Sequence, residues 1–432
     1  MARYHIETYG CTSNRGETQQ IEQTLREGGH RPASTPEEAD VAILNTCTVV
    51  EKTERNMLRR AKELDEETPA DLIVTGCMAL AQGEQFEEAD VDAEILHWDE
   101  VPEHVLNGEC PTITPDTDPV LTDATGILPI ARGCMSDCSY CITKQATGRI
   151  DSPTVEENVQ KARALVHGGA KEIRITGQDT GVYGWDINQG KSLLPELLDR
   201  ICTGIDGDFR VRLGMANPGG VHGIAAELAA VFAEHDQIYN FLHAPVQSGS
   251  DEVLADMRRQ HQVEQFREIV AAFDEYLDYW TLSTDFIVGF PTEEPEDHEA
   301  SMDLIREIRP EKINVTRFSK RPGTDAAEMK GLGGTRKKER SKAMTDLKME
   351  VVGDAYEAMV GTERTVLLTE DGTDDSLVGY DEAHRQVALP QAQLQGLKVG
   401  DFVEVEITGH NTVYAMGEPI SPPNEVAPTA GE

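Results

Sequence analysis

Short apolar runs and amphipathic stretches alternate through the first quarter of the chain. Runs at 4–9, 41–45 and 71–75 have the length and branched side chains of strands, while 17–27 and 53–64 repeat apolar residues at helical spacing. This pattern predicts an α/β open sheet over residues 1–110. From 126 to 325 the alternation recurs six times, with strands at 128–131, 172–176, 210–213, 238–243, 281–288 and 312–318 and helices at 156–167, 193–202, 224–233, 263–273 and 297–308. Six consecutive βα units predict a partial (β/α)6 barrel of the TIM type, whose chemistry sits at the carboxyl ends of its strands. A helix at 336–359 follows, and the barrel with that helix is assigned 126–358. Short alternating runs at 364–369, 376–380, 385–389, 401–408 and 412–416, separated by Gly and Asp turns, predict a small closed antiparallel β-barrel at 359–420. Residues 111–125, proline-rich and acidic, read as a linker, and 421–432, rich in Pro, Ala and Glu, as a disordered tail.

A chain of 432 residues exceeds the size at which a single core stops growing, in keeping with several domains. No run approaches the roughly 20 apolar residues of a membrane span, and the first residues lack the apolar core of a signal peptide. A cytoplasmic protein without a membrane partner is expected. The formal charge of -39 argues at first against nucleic acid, since phosphate is repelled. Yet the acid is spread over nearly every segment with few lysines, as in a halophilic cytoplasm, and at molar salt the Debye length falls to about 3 Å. An RNA partner therefore stays open, bound more by shape and stacking than by charge. The densest basic stretch runs from Arg336 through Lys342; with Lys320, Arg321 and Lys330 it is either a phosphate patch or a solvated helix face.

Eight cysteines in a large intracellular chain point to metal ligation before disulfides. Cys134, Cys138 and Cys141 follow the first barrel strand at Cys-x3-Cys-x2-Cys spacing, with no fourth ligand nearby. Structural zinc takes four ligands, so the trio suits a 4Fe-4S cluster whose remaining iron is open to a small molecule. Cys11, Cys47 and Cys77 each follow one of the first three strands. In a parallel sheet those strand ends share one edge, so three thiols distant in sequence would meet there as a second cluster site. Cys110 and Cys202 fit neither set.

The three-cysteine loop, with Tyr140 before its last thiol, resembles the signature of the radical S-adenosylmethionine (SAM) enzymes. That resemblance implies a cluster that chelates SAM and cleaves it to a 5′-deoxyadenosyl radical. It also implies that the loop Thr176-Gly177-Gln178-Asp179 meets the SAM amino group, with Gln178 and Asp179 where Gly-Gly-Glu is commoner. The phrases around Cys11, Cys47 and Cys77 resemble the N-terminal domain of methylthiotransferases, implying an auxiliary 4Fe-4S cluster that takes part in sulfur insertion. His243-Ala244-Pro245-Val246-Gln247-Ser248 and Asp285-Phe286-Ile287-Val288-Gly289 resemble that family's cavity-lining motifs, which makes Gln247 and Ser248 candidate cofactor contacts. His243 reads as a base or a structural group, and Lys144 and Arg149 as partners of SAM carboxylate or substrate phosphate or as surface charges. The last segment resembles the TRAM domain, an RNA-binding barrel.

Thr176-Gly177-Gln178-Asp179-Thr180-Gly181-Val182-Tyr183-Gly184-Trp185-Asp186 and Ile142-Thr143-Lys144-Gln145-Ala146-Thr147-Gly148 are most similar to the archaeal and eukaryotic branch of methylthiotransferases. That branch converts threonylcarbamoyl-adenosine at position 37 of tRNA to its 2-methylthio derivative. The resemblance implies two 4Fe-4S clusters and SAM as cofactors, tRNA as partner, an electron donor such as ferredoxin or flavodoxin, a sulfur donor, and a monomer. Alternatives are the same chemistry on isopentenyl-adenosine or a ribosomal-protein aspartate, or a non-catalytic RNA- or metal-binding protein.

Overall fold

The computed structural model describes residues 2–48, 51–114, 117–373, 375–394 and 396–420; the tail expected at 421–432 lies outside them. The first domain is a five-stranded, all-parallel sheet of β1 (Arg3–Thr8), β2 (Arg31–Pro32), β3 (Val41–Thr46), β4 (Asp71–Thr75) and β5 (Glu94–Ile95), in the order β2-β1-β3-β4-β5. Its central strands are apolar on both faces because both are covered. Ile43 and Ile73 pack with Ile21 and Leu25 of the helix Thr12–Glu27, while Leu44 and Val74 pack with Met57, Ala61 and Leu64 of the helix Glu51–Glu67.

The second domain carries six parallel strands in chain order: β6 (Thr125–Pro129), β7 (Glu172–Thr176), β8 (Arg210–Arg212), β9 (Phe241–His243), β10 (Thr281–Val288) and β11 (Lys312–Arg317). They form two three-stranded sheets joined through the parallel bridges Val211–Ile238 and Met215–His243, an open partial barrel. Alternation decides what each strand faces. Ile173, Ile175, Val211, Leu242, Leu282 and Ile313 point outward into one core with the surrounding helices. The opposite positions, among them Arg174, Arg212, His243, Asp285 and Lys312, leave the lumen polar. Closed barrels fill this space with branched aliphatics; here it is a chamber.

The helix Thr12–Glu27 of the first domain lies against β6. Gly16 makes room for it, since a Cβ there would sit 2.8 Å from Ile127 Cγ2. Gln19 accepts from the Ile127 amide at 3.1 Å and donates to Thr122 Oγ1 at 3.2 Å, and Ser13 and Thr176 share a hydroxyl hydrogen bond of 2.9 Å. Residues 117–125 of the segment read as a linker pack between these domains. Val120 and Ala124 are buried, and Gln23 donates to the Asp118 carbonyl at 3.3 Å.

The helix Gly334–Glu357 leads to the third domain: β12 (Glu363–Asp371), β13 (Ser376–Tyr380), β14 (Gln386–Pro390), β15 (Phe402–Asn411) and β16 (Tyr414–Pro419), a closed barrel in the order β12-β13-β14-β16-β15. One pairing corrects the antiparallel expectation: β14 and β16 run parallel where the barrel closes between strands not adjacent in sequence. The turn before β14 plugs the amino-terminal end of the larger barrel. His384 stacks on Tyr380 at 4.2 Å between centroids and meets Tyr239 and Phe241 at 4.8 and 4.9 Å. Arg385 donates to Thr281 Oγ1 at 3.1 Å and to the Trp280 carbonyl at 3.0 Å.

The basic run does not stand as an open patch. Arg321 is buried against Glu54 at 2.7 Å, Lys337 donates to the Phe318 carbonyl at 3.0 Å, and Arg340 reaches Glu293 Oε1 at 3.2 Å. Arg336, Lys338 and Lys330 stay exposed. Among the described residues no helix is long and apolar enough to cross a membrane.

Candidate active site

Two sets of cysteine turns face each other across the junction of the first two domains. Cys11 caps the helix Thr12–Glu27 after β1, Cys47 follows β3, and Cys77 lies in the first turn of the helix Gly76–Gln82 after β4. A buried polar net fixes their spacing. Asn14 donates to Asn45 Oδ1 at 2.9 Å, Asn45 returns a bond to the Asn14 carbonyl at 2.9 Å, and Thr46 donates to the Thr75 carbonyl at 2.6 Å. Gly76 has φ +87, and a Cβ there would lie 2.4 Å from the Thr46 carbonyl oxygen, so only glycine lets β3 and β4 turn side by side.

The loop after β6 is held just as closely. The Cys134 amide donates to the Gly148 carbonyl at 3.2 Å, the Cys141 amide to the Cys138 carbonyl at 3.1 Å, and Ser139 Oγ to the Asp256 carbonyl at 2.8 Å. Gln178 accepts from the Gly133 amide at 2.7 Å, so it braces this loop while lining the same space.

All six thiols line one cavity of about 490 Å³. Burial pushes the Cys77 thiol well above its usual range, and Glu17, Cys11 and Cys47 add to the rise; burial raises Cys134 and Cys141 too. Such crowded thiols ionise together only around a cation. Among the described residues, the one set that brings three ligand atoms within 4.8 Å of one another is Asp199, Glu234 and His235. Sulfurs sharing a single ion at bonds of ~2.3 Å would lie within about 4.6 Å of each other. Both thiol trios are spread wider, and a multi-iron cluster is the group that fits this donor set.

The resemblance-derived contacts divide. Gln247, at φ +75, lines the cavity with its Oε1 buried and unpartnered. Asp179 does not reach the cavity: it is 2% exposed and accepts from the Asn217 amide at 2.9 Å and Asn217 Nδ2 at 2.8 Å. Ser248 is likewise buried behind the wall, accepting from the Ser250 amide at 3.2 Å. His243 meets Asp285 at 3.1 Å, and Lys144 pairs with Asp137 at 2.9 Å. Arg149 lines a neighbouring cleft with Arg132. Cys202 packs in the barrel core, and Cys110 is exposed.

Sequence reasoning missed Arg259. Its Nη1 lies 3.6 Å from Cys138 Sγ, while Nη2 donates to Asn217 Oδ1 at 2.5 Å and to the Pro245 carbonyl at 2.9 Å. Asp179 thus positions Asn217, which positions a guanidinium beside the cluster loop. The adjacent pair Arg258 and Arg259 gives no sign in sequence of which one turns inward.

A polar-lumened parallel barrel with three thiols at its first strand end defines a radical SAM protein. The radical SAM superfamily model matches residues 128–305, the model described as Uncharacterized protein family UPF0004 matches 3–97, and the TRAM domain model matches 357–420. A probable threonylcarbamoyladenosine tRNA methylthiotransferase of Archaeoglobus fulgidus is 37% identical over 429 residues, covering 96% of this chain and 98% of its own. The threonylcarbamoyladenosine tRNA methylthiotransferase of Xenopus laevis is 32% identical over 438 residues, covering 96% of this chain and 76% of its own. The chain belongs to the threonylcarbamoyladenosine tRNA methylthiotransferase family. In fold it is also similar to the cobalamin-dependent S-adenosylmethionine radical enzyme OxsB, with a TM-score of 0.52 at 12% identity over 82% of this chain and 56% of that one.

Proposed function

We propose that this chain replaces the hydrogen on C2 of threonylcarbamoyl-adenosine in tRNA with a methylthio group. One observation carries the reading: thiol trios from two separate domains open on one cavity. Cys134, Cys138 and Cys141 would hold the cluster that takes SAM, and Cys11, Cys47 and Cys77 would hold a second cluster that serves sulfur insertion. When bound, the first cluster and SAM supply the means to remove a hydrogen atom from an unreactive carbon, which no side chain offers.

The protein's own groups orient and enclose. Gln247 Oε1 offers an unused acceptor to the SAM ammonium, and Gln178 keeps the cluster loop closed through Gly133. Arg259 sets a fixed positive charge beside Cys138. Asp179 and Ser248 act from behind the wall as positioning residues. The electron comes from an external reductant such as ferredoxin or flavodoxin and the sulfur from an external donor, and the chain works in the cytoplasm as a monomer.

Mass spectrometry of tRNA nucleosides from a deletion strain tests the reading. The methylthio nucleoside should vanish, threonylcarbamoyl-adenosine should accumulate, and the intact gene should restore both levels. An unchanged methylthio level in the deletion strain would refute the assignment.

A further inference from the structure

One segment reverses the sign of the chain. Acidic residues outnumber basic ones 78 to 39 overall, yet from Arg317 to Lys342 nine basic residues stand against three acidic ones, Asp325, Glu328 and Glu339. Three of the nine turn inward, Arg321 to Glu54, Lys337 to the Phe318 carbonyl and Arg340 to Glu293. Those bonds fix the path of the segment and leave other cations facing water. Arg317, Lys330, Arg336 and Lys338 are exposed, and among the described residues none of the four is ion-paired. Of the three acids, Asp325 is taken up by Arg258 at 2.6 Å.

The fold gathers these four from a strand, a loop and a helix onto one rim. Arg317 ends β11 in register with Val288 of β10. Just past β10, Gly289 lies so close to the helix Gly334–Glu357 that a Cβ there would sit 2.6 Å from Lys337 Cγ, and Lys337 reaches the residue after Arg317. Met329, beside Lys330, packs on the small core of Phe290 and Phe318. The four therefore stand around the carboxyl ends of β10 and β11, the end of the barrel that carries the thiol cavity. The segment is also tied to the cluster loop: the Ala326 amide donates to the Ser139 carbonyl at 2.9 Å, and Gln145 to the Gly323 carbonyl at 2.9 Å. Since β11 is the outermost strand of its sheet, the rim borders the open edge of the barrel.

We propose that Arg317, Lys330, Arg336 and Lys338 seat the phosphate backbone of the tRNA while its target base enters the thiol cavity; the inference rests on the proposed function. An acidic protein repels RNA over most of its surface. A polyanion docks where the sign reverses, and here that place adjoins the chemistry. Because the four cations are unpaired, no internal ion pair has to break before a phosphate binds. Phosphate contacts fix the orientation of the RNA without reading its sequence. The rim thus sets how the stem-loop lies, and the choice of base is left to the cavity.

The test uses the anaerobically reconstituted full chain and two RNAs, an anticodon stem-loop carrying threonylcarbamoyl-adenosine and a stem-loop of unrelated sequence. Fluorescence anisotropy over a potassium chloride series gives affinity and its salt dependence, and mass spectrometry follows the methylthio product. Arg317→Gln, Lys330→Gln, Arg336→Gln and Lys338→Gln should each make the slope of log affinity against log salt shallower by about 1, on both RNAs alike. The fourfold variant should bind both RNAs at least about tenfold more weakly at low salt. Its iron content and its reductant-driven SAM cleavage without RNA should match the wild type, because none of the four residues lines the thiol cavity. Arg31→Gln removes an exposed cation at the amino end of the first sheet, away from the thiols, and should leave both slopes unchanged. A loss confined to one RNA would overturn the proposal in favour of base reading. A fourfold variant with wild-type affinity and slope, or single losses no larger than that of Arg31→Gln, would overturn it and leave the cations as guards of an open sheet edge. A wild type that makes no methylthio product from the modified stem-loop would instead remove the proposed function, and the inference with it.

Discussion

Arg321 Nη1 and Glu54 Oε2 lie 2.7 Å apart across 267 positions of chain, with side chains only 5% and 9% exposed. The arginine follows β11 and the glutamate lies in the helix Glu51–Glu67, so the pair fastens the domain bearing Cys11, Cys47 and Cys77 to the barrel. Glu54 Oε1 also accepts from Thr48 at 2.5 Å and from Gln82 at 2.7 Å. Arg321→Met strands a buried carboxylate, with an expected cost of about 3–5 kcal/mol. Paired Glu54→Met and Arg321→Met substitutions should recover much of that loss, because no lone charge remains. Thermal unfolding with limited proteolysis between the two domains checks this; a double variant no better than the single one would show that the pair does not fasten the domains.

The two thiol trios should be separable by iron content. Alanine at Cys11, Cys47 and Cys77 should lower reconstituted iron from about eight to about four per chain. SAM cleavage should persist while methylthio product disappears. Alanine at Cys134, Cys138 and Cys141 should remove the other half of the iron and abolish SAM cleavage. Loss of SAM cleavage with the first trio would refute this division of labour.

The strands at 172–176 and 281–288 were legible to the residue because branched side chains stop abruptly at polar turns. The paired residues of β2 and β5 were not, since two positions carry no period. Cysteine turns could be read because each thiol follows a strand end, where parallel topology brings distant segments together. Contacts set by three-dimensional stagger could not. That Arg212 and Lys312 both approach the Phe241 ring depends on how β8, β9, β10 and β11 are staggered. That Asp179 is buried depends on the Asn217 turn covering it.

Acid should loosen the plug beneath the barrel. His384 is held to about 3 chiefly by burial, with Arg212 and Lys312 adding and Glu172 opposing. The folded state refuses a proton that the unfolded chain takes near pH 6.5. This contribution is complete above that pH and is lost as pH falls toward 3, at about 1.4 kcal/mol per pH unit. Between pH 6.5 and about 4.5 the unfolded chain protonates this histidine while the folded one stays neutral, and Glu172, ordinarily near 4.5 and held to about 2 when folded, does not yet contribute. Urea unfolding at fixed salt should show falling stability over that window, and His384→Phe, which keeps the aromatic contacts, should flatten it. Equal slopes in the two proteins would exclude His384 as the source.

Two glycines that bracket the cluster loop share a positive φ but not the same surroundings. Gly133 has φ +79, and a Cβ there would lie 2.0 Å from the Arg149 carbonyl oxygen; Gly148 has φ +69 with nothing within 4 Å. Gly148→Ala meets only the conformational penalty of a backbone at φ 69, ψ -152, about 1–3 kcal/mol, and should keep both clusters. Gly133→Ala must push the strand-end turn away from Arg149, which also parts the Gly133 amide from Gln178 and shifts Cys134. It should lose about four irons per chain while the Cys11, Cys47 and Cys77 site stays loaded. Iron analysis alongside circular dichroism separates a displaced loop from global unfolding. If both variants kept full iron, close packing at Gly133 would not be what holds the loop in its ligating shape.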